Sequence, residues 1–354
     1  MSGQIKARAV STLYGLAVGE ALSWSSMFSR AQELPKWLER IRHTIETEMG
    51  EYNSTSLPKP FSLNQAPDKL IPGPGDLAEW AAWTTMILLE NRGNLDHAIL
   101  HKAWQELASS TNPIRGRISV QTTLRNFRND LTAPQSGRFN PHYFDDAALP
   151  RAVMIGVAHT GNPAAAKALA ELDASFTQFE DGIWSATAVA TLFSQACNGA
   201  SVSDIIQGVI KGLPADSLTK TTVMHALNGI DPAKSSIVDT AFFLNTEICN
   251  QIYSYGNIAH EILASLLSIL KTTGGNHDLM MGCAALVPSG GGTLLALSSA
   301  LGAVIEGKTL VENPQDHLLK GVSLPALKGV DINDIANQFG ELVIAKINSE
   351  AKGK

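Results

Sequence analysis

Cysteine is scarce in this chain, and charge is low. Cys197, Cys249 and Cys283 lie far apart among 354 residues, which excludes a disulfide framework or thiolate zinc site and favours a reducing compartment. A formal charge of −6 makes nucleic acid an unexpected partner. No apolar run has the roughly 18 residues of a membrane span, and the N-terminus lacks the ordered regions of a signal peptide. We therefore expect a cytoplasmic protein without a membrane partner.

The two-residue alternation typical of β-strands is also missing. Hydrophobic residues make up 44% of the chain, enough for a substantial core. They recur at three- and four-residue steps, as in ARAVSTLYGLAVGEALSW, which is typical of amphipathic helices. No internal repeat or change of composition divides the chain. The sequence therefore predicts one all-α domain of about a dozen helices over residues 1–354.

One long connection interrupts the helical pattern. Residues 50–75 are rich in proline, serine and asparagine. Connections of this length inside a compact domain are usually functional or poorly ordered. We expect this loop to lie over or near a ligand pocket and to select among ligands.

Acidic residues stand at two helix positions in the first quarter of the chain. Glu20 follows Gly19 on an otherwise apolar helix, where an acid is most often solvated or paired. Asp76 and Glu79 are three residues apart and share a helical face. An N-cap aspartate with a first-turn glutamate is the ordinary structural explanation, and metal binding is the alternative.

Two further polar segments lie in the middle and near the end of the chain. Asp145 and Asp146 precede a helix pattern, and Arg151 follows within it. Paired acids before a helix are common caps, and Arg151 could pair with either. The last segment is SGGGT, which opens a long helix of small residues at 289–293. Helix ends of this kind bring backbone groups and side chains together around ligands.

In this order and spacing the four segments resemble the ADP-ribosylglycohydrolase family. Its early G-x-A-x-G-D-A-x-G motif is similar to GLAVGEALS at 15–23, and GDLA at 75–78 stands where the family has T-D-D-T. DAALPRAVMIG at 146–156 is similar to the family's N-G-A-x-M-R-x-x-P-x-G. SGGGT stands where G-D-x-D-T precedes a small-residue helix. The resemblance covers about residues 6–345 and implies an all-α fold.

The resemblance also implies a site for two Mg²⁺ ions, held by the aspartates and threonines of the second and fourth motifs. Only Asp76 and Thr293 keep a ligand type, because the other positions hold Gly75, Leu77, Gly290 and Gly292. Mg²⁺ needs near-octahedral oxygen ligands, and one retained carboxylate cannot balance four positive charges. We therefore expect no two-metal centre and no other cofactor. A single weakly bound Mg²⁺ at Asp76 stays open.

The glycine loop has two interpretations. Successive N–H groups at a helix N-terminus form an anion-binding nest, in which case the loop contacts a phosphate or carboxylate directly. Alternatively, the glycines only permit a positive φ. The first interpretation predicts a ligand-binding set completed by Arg151, which would hold a phosphate bidentately. The predicted ligand-binding residues are Ser289, Gly290, Gly291, Gly292, Thr293 and Arg151.

Three functions follow from these patterns. The first is hydrolysis of an N- or O-glycosidic bond in an ADP-ribosyl or related ribosyl substrate, free or protein-linked, by paired carboxylates that stabilise an oxocarbenium-like transition state. The second is an inactive relative that binds an ADP-ribose-like ligand or a modified protein. The third is a structural role on the same scaffold. Tryptophans Trp80 and Trp83 would stack on a base or belong to the core. The predicted catalytic residues are Asp76, Glu79, Asp146 and Glu20.

Overall fold

A computed structural model describes residues 2–32, 74–251, 257–308 and 317–352. These ranges contain fifteen α-helices, three short 3-10 turns, one π-helical turn and no β-strand. The helices, in chain order, are α1 (Ser2–Gln32), α2 (Asp76–Glu90), α3 (His97–Ser109), α4 (Ile118–Arg128), α5 (Gln135–Arg138), α6 (Leu149–Ala158), α7 (Pro163–Ala174), α8 (Asp181–Cys197), α9 (Val202–Gly212), α10 (Leu218–Asn228), α11 (Ile237–Phe243), α12 (Ala259–Thr273), α13 (His277–Ala285), α14 (Gly291–Glu306) and α15 (Ile332–Lys352).

Local caps explain where several of these helices begin and end. The Asp96 carboxylate accepts the N–H of Ile99 at 2.7 Å and so starts α3, while Ser236 starts α11 through a capping box with Asp239. Such caps satisfy N–H groups that have no partner inside the helix. Gly274 ends α12 in the left-handed conformation, which glycine adopts without steric cost.

The core lies around helices that are buried on nearly every side. Every residue of α6 is buried, and α12 and α14 are buried over most of their length. A helix that is apolar all round belongs inside a domain. α14 also packs closely along α1, because a Cβ atom at Gly19 would lie 2.4 Å from the Leu295 carbonyl oxygen. This contact brings the starts of α14 and α2 towards the same end of the molecule.

The all-α prediction is confirmed, but the periodicity did not indicate five helices of four to eleven residues: α4, α5, α10, α11 and α13. α4 is rich in β-branched residues, which have weak helix propensity, yet it buries Val120, Leu124 and Phe127 at helical spacing. His277 and Asp278 lie in the first turn of α13.

The predicted pocket-covering loop at 50–75 falls mostly outside the described residues, and its position stays a prediction. Among the helices that the structure describes, none combines the length and apolarity needed to cross a membrane.

Candidate functional site

A single arginine joins three side chains that sequence reasoning had placed in separate segments. Arg117 Nε donates to Asp146 Oδ1 at 2.6 Å, and Nη2 lies 3.3 Å from Asp146 Oδ2. The same Nη2 donates to Thr293 Oγ1 at 3.1 Å, and Nη1 lies 3.3 Å from Asp76 Oδ2. Thr293 Oγ1 in turn donates to Asp146 Oδ2. We call Asp76, Arg117, Asp146 and Thr293 the Arg117 cluster.

The Arg117 cluster is partly open to solvent. The side chains of Arg117 and Asp76 are 21% and 25% exposed, whereas Asp146 is fully buried. Burial opposes the charge of the guanidinium, but Asp146 and Asp76 outweigh it and raise the pKa of Arg117 further. Burial raises the pKa of Asp146 more than Arg117 and Thr293 lower it. Arg117 is therefore a permanent cation between a partly solvent-exposed carboxylate, Asp76, and a buried carboxylate, Asp146.

The start of α4 positions Arg117, which is the residue immediately before the helix. Asp145 Oδ2 accepts the backbone N–H of Ser119 at 3.0 Å, and Oδ1 accepts the Ser119 hydroxyl at 2.6 Å. Gln178 donates to the same carboxylate at 2.9 Å. The two adjacent aspartates therefore have separate roles: Asp145 fixes the first turn of α4, and Asp146 binds the arginine that precedes it.

A turn at residues 322–324 contacts both Glu79 on α2 and the backbone of Arg115, just before Arg117. Glu79 is fully buried, and its carboxylate accepts the N–H groups of Val322, Ser323 and Leu324 at 2.7–2.8 Å. The carbonyl of Ser323 then accepts the N–H of Arg115 at 2.9 Å. These contacts occupy both oxygens of Glu79, so we interpret Glu79 as a residue that holds this turn rather than as a catalytic acid.

Glu20 caps α2 from a distant part of the chain. Its carboxylate accepts the N–H groups of Gly75, Leu77 and Ala78 at 2.9–3.0 Å. A Cβ atom at Gly75 would lie 2.6 Å from Glu20 Oε1, so glycine makes room for the carboxylate. Burial and the charge of Asp76 raise the pKa of Glu20 to about 8, although the three N–H groups act in the opposite direction.

This arrangement corrects the expected cap of α2. The N-cap residue of α2 is Gly75, which has no side chain to cap the helix. Asp76 therefore does not cap α2, and its carboxylate is turned towards Arg117 instead.

The glycine segment forms a short 3-10 turn, Pro288–Gly290, followed directly by α14. Gly291 has a φ of +56°. The interpretation in which the glycines permit a positive φ therefore applies to this one of the three glycines. Ser289 accepts a hydrogen bond from the Asn250 side chain at 2.7 Å. Thr293 lies in the first turn of α14, with its hydroxyl between Arg117 and Asp146. An anion-binding role for the segment stays a prediction.

Arg151 lies in the core and not beside the Arg117 cluster. It is 0% exposed; Nε donates to Asp173 at 2.8 Å, Nη1 to the Ala147 carbonyl and Nη2 to Thr177. Its guanidinium also lies 5.3 Å from the centre of the Trp104 ring. The expected pairing with Asp145 or Asp146 is therefore wrong, and its location does not suit the predicted binding of a phosphate.

The two tryptophans of α2 join the same aromatic layer. Trp80 stacks on Trp104 at a centroid distance of 5.7 Å, and Trp83 lies edge-on to both rings. Trp80 is buried and Trp83 half-buried, so we interpret them as core residues.

The residues of the Arg117 cluster do not fit a magnesium centre. Asp76 and Thr293, the two retained ligand types, both contact the guanidinium. A fixed positive charge beside these oxygens repels a divalent cation and occupies their lone pairs. Across the described ranges, no group of three or more histidine, cysteine, aspartate or glutamate side chains is arranged to hold a metal ion.

The structure thus brings Asp76, Asp146 and Thr293 together, and puts Glu20 behind Asp76 at the start of α2. Glu79 and Arg151 have other partners. Sequence reasoning missed Arg117, although its position just before an amphipathic pattern of Val120, Leu124 and Phe127 was readable. Its partners are 29, 41 and 176 positions away, and no local signal in the sequence indicates such pairings.

Comparisons with known proteins agree with this fold. The family model for ADP-ribosylglycohydrolase matches residues 1–312. A solved structure described as an ADP-ribosylglycohydrolase-related protein complex is similar, with a TM-score of 0.61 and 17% identity over 96% of this chain and 99% of that chain. A comparison with curated proteins gives no match. Because the family model covers most of its length, the chain belongs to the ADP-ribosylglycohydrolase family.

Proposed function

We propose that this protein binds an ADP-ribose-like ligand, free or attached to a protein, at the Arg117 cluster and without divalent cations. The observation that carries the proposal is the guanidinium that contacts Asp76, Asp146 and Thr293 together. It supplies a built-in cation at a place where the family resemblance implies Mg²⁺. Family membership supports the ligand class.

The exposed edge of the Arg117 cluster has the polarity that a sugar or phosphate requires. Asp76 and Arg117 are both in contact with solvent, so a ligand hydroxyl can accept from the guanidinium and donate to the carboxylate. The first-turn N–H groups of α14 beside Thr293 favour a negatively charged ligand group. In this arrangement the ribose of the ligand would lie near Asp76, and its negatively charged group would lie near Gly291 and Gly292.

Calorimetric titration with ADP-ribose, once with EDTA and once with millimolar Mg²⁺, tests the proposal. We expect equal affinity in both buffers and a loss of about tenfold or more in Arg117→Met, because that variant keeps bulk but loses the cation. Lys211→Met, an exposed lysine on α9, is the matched control and should bind normally. Binding only in Mg²⁺, or unchanged binding by Arg117→Met, would contradict the proposal.

A second function is metal-independent hydrolysis of the glycosidic bond. Its support is the pairing of a half-open carboxylate, Asp76, with Asp146, whose pKa burial raises. Two carboxyl groups in different environments are what acid–base cleavage of a glycoside needs. Incubation of the protein with ADP-ribosylated arginine and serine peptides, in EDTA, separates the two functions. Turnover that Asp76→Asn and Asp146→Asn abolish would favour the hydrolase.

A further inference from the structure

The segment that contains α4 is unusually rich in arginine. Residues 115–138 hold five of the chain's eleven arginines, no lysine and a single acid, Asp130. This segment has a formal charge of +4 in a protein of net charge −6, so the remainder of the chain is more acidic than the total suggests. The basic charge is therefore concentrated beside the candidate site.

Helical spacing puts part of this charge on one exposed face. Positions 117, 121, 125 and 128 follow each other by four, four and three residues, which aligns them along one side of α4. Gln121, Arg125 and Arg128 are exposed, and Arg117 at the head of the row belongs to the Arg117 cluster. We call Arg117, Gln121, Arg125 and Arg128 the α4 stripe; it is about 16 Å long at 1.5 Å per residue.

In the part of the chain that the structure describes, no carboxylate neutralises the exposed arginines of the α4 stripe. In the described ranges, neither Arg125 nor Arg128 has a carboxylate within the 4.0 Å of an ion pair. Arg128 donates through Nε to the carbonyl of Ala108 at 2.8 Å, which fixes the base of its side chain. Its terminal nitrogens stay available for an outside anion.

We propose that the α4 stripe binds an acidic peptide segment of a partner protein next to the ligand site. Arginine forks pair bidentately with carboxylates, and an extended peptide of about five residues spans the stripe at 3.3 Å per residue. A long nucleic acid fits less well, because the acidic remainder of the chain repels an extended polyanion. The proposal deepens the proposed function by naming the partner that presents the ligand.

Fluorescence anisotropy with a labelled hexaglutamate peptide tests the proposal without any ADP-ribose, so its failure is distinguishable from failure of ligand binding at Arg117. We expect salt-sensitive binding that weakens about tenfold in Arg125→Glu/Arg128→Glu, since two attractive pairs become repulsive. Lys211→Glu/Lys234→Glu makes the same charge change on other exposed residues and should bind normally.

Three results would overturn the proposal: no binding of hexaglutamate, equal weakening in the control variant, or hexathymidylate binding as tightly as hexaglutamate. The last would identify a nucleic acid as the preferred polyanion. Thermal unfolding of both double variants checks that they fold, and ADP-ribose titration of Arg125→Glu/Arg128→Glu should give the wild-type affinity.

Discussion

Two arginine–aspartate pairs, Arg151–Asp173 and Arg117–Asp146, differ in their access to water. Arg151 and Asp173 are buried to 0% and 1% exposure, and both terminal nitrogens of Arg151 donate to protein oxygens, the Ala147 carbonyl and the Thr177 hydroxyl. Arg117 bridges buried Asp146 and half-open Asp76 at the surface. The first pair is enclosed and can only stabilise the fold, whereas the second can exchange a protein contact for a ligand contact.

The enclosed pair should give the largest effect on stability. Arg151→Ala leaves Asp173 buried without its cation, which costs about 3–5 kcal/mol in comparable buried pairs. Urea denaturation followed by circular dichroism measures the change. Arg151→Met/Asp173→Leu, which removes both charges, should recover most of the loss. A double variant as unstable as Arg151→Ala would mean that packing against Trp104, and not the ion pair, is the main contribution.

Glu20 gives a pH-dependent contrast next to the open pair. Its pKa is raised from 4.5 to about 8 by burial and by Asp76, so its contribution to stability is full below pH 4.5 and is lost as the pH rises through 8. Each unit of difference between the folded and unfolded pKa is equivalent to about 1.4 kcal/mol of unfolding free energy. We expect wild type to lose unfolding free energy relative to Glu20→Gln as the pH rises through 8, because glutamine cannot ionise.

Two buried histidines, His159 and His260, change stability with pH in the opposite direction to Glu20. They provide a control for the Glu20 experiment. Burial lowers the pKa of His159 and of His260 to about 4, so their contributions are lost as the pH falls from 6.5 to 4. Both proteins contain these histidines, and the acid-side loss should be the same in each. Parallel curves over the whole range would contradict the shift assigned to Glu20.

Substitution of Glu79 tests whether the position of Arg117 depends on the turn at residues 322–324. Glu79→Ala removes the acceptor of three N–H groups and should cost about 2–3 kcal/mol. Hydrogen exchange should accelerate at Ser323 and Leu324 and also at Arg115, which is bound to the turn. If exchange at Arg115 is unchanged, the turn does not hold the segment that carries Arg117.

The sequence was informative wherever a pattern is local. The apolar periodicity of α2 and α6 predicted both helices, and the ordered motifs led to the family. Contacts between distant positions were not readable: Glu20 and Gly75 are adjacent only after α1 and α2 pack, 55 positions apart in the chain. Glycine at position 75 leaves the room that the Glu20 carboxylate occupies. Likewise Glu79 meets Val322 across 243 positions, and nothing near either residue indicates it.

The smallest effect on stability is expected at Arg117, although the substitution is the same as at Arg151. Arg117→Ala should cost about 1–2 kcal/mol, because water reaches Asp76 and can replace part of the lost contact. Asp146 loses its cation, and since its pKa is already raised, it gives more stability at low pH and less as the pH rises. The penalty of Arg117→Ala should therefore grow as the pH rises above 3.8, the ordinary pKa of this carboxyl, as urea denaturation at each pH would measure.

Asp146→Asn in the Arg117→Ala background should remove that pH dependence, because the asparagine does not titrate. Adding millimolar Mg²⁺ sharpens the contrast further: we expect it to raise the melting temperature of Arg117→Ala and to leave wild type unchanged, since only the variant presents two carboxylates without a fixed cation. A penalty as large as that of Arg151→Ala and independent of pH would mean that Arg117 is also enclosed. In that case access to water would not be what separates a structural pair from a binding pair in this protein.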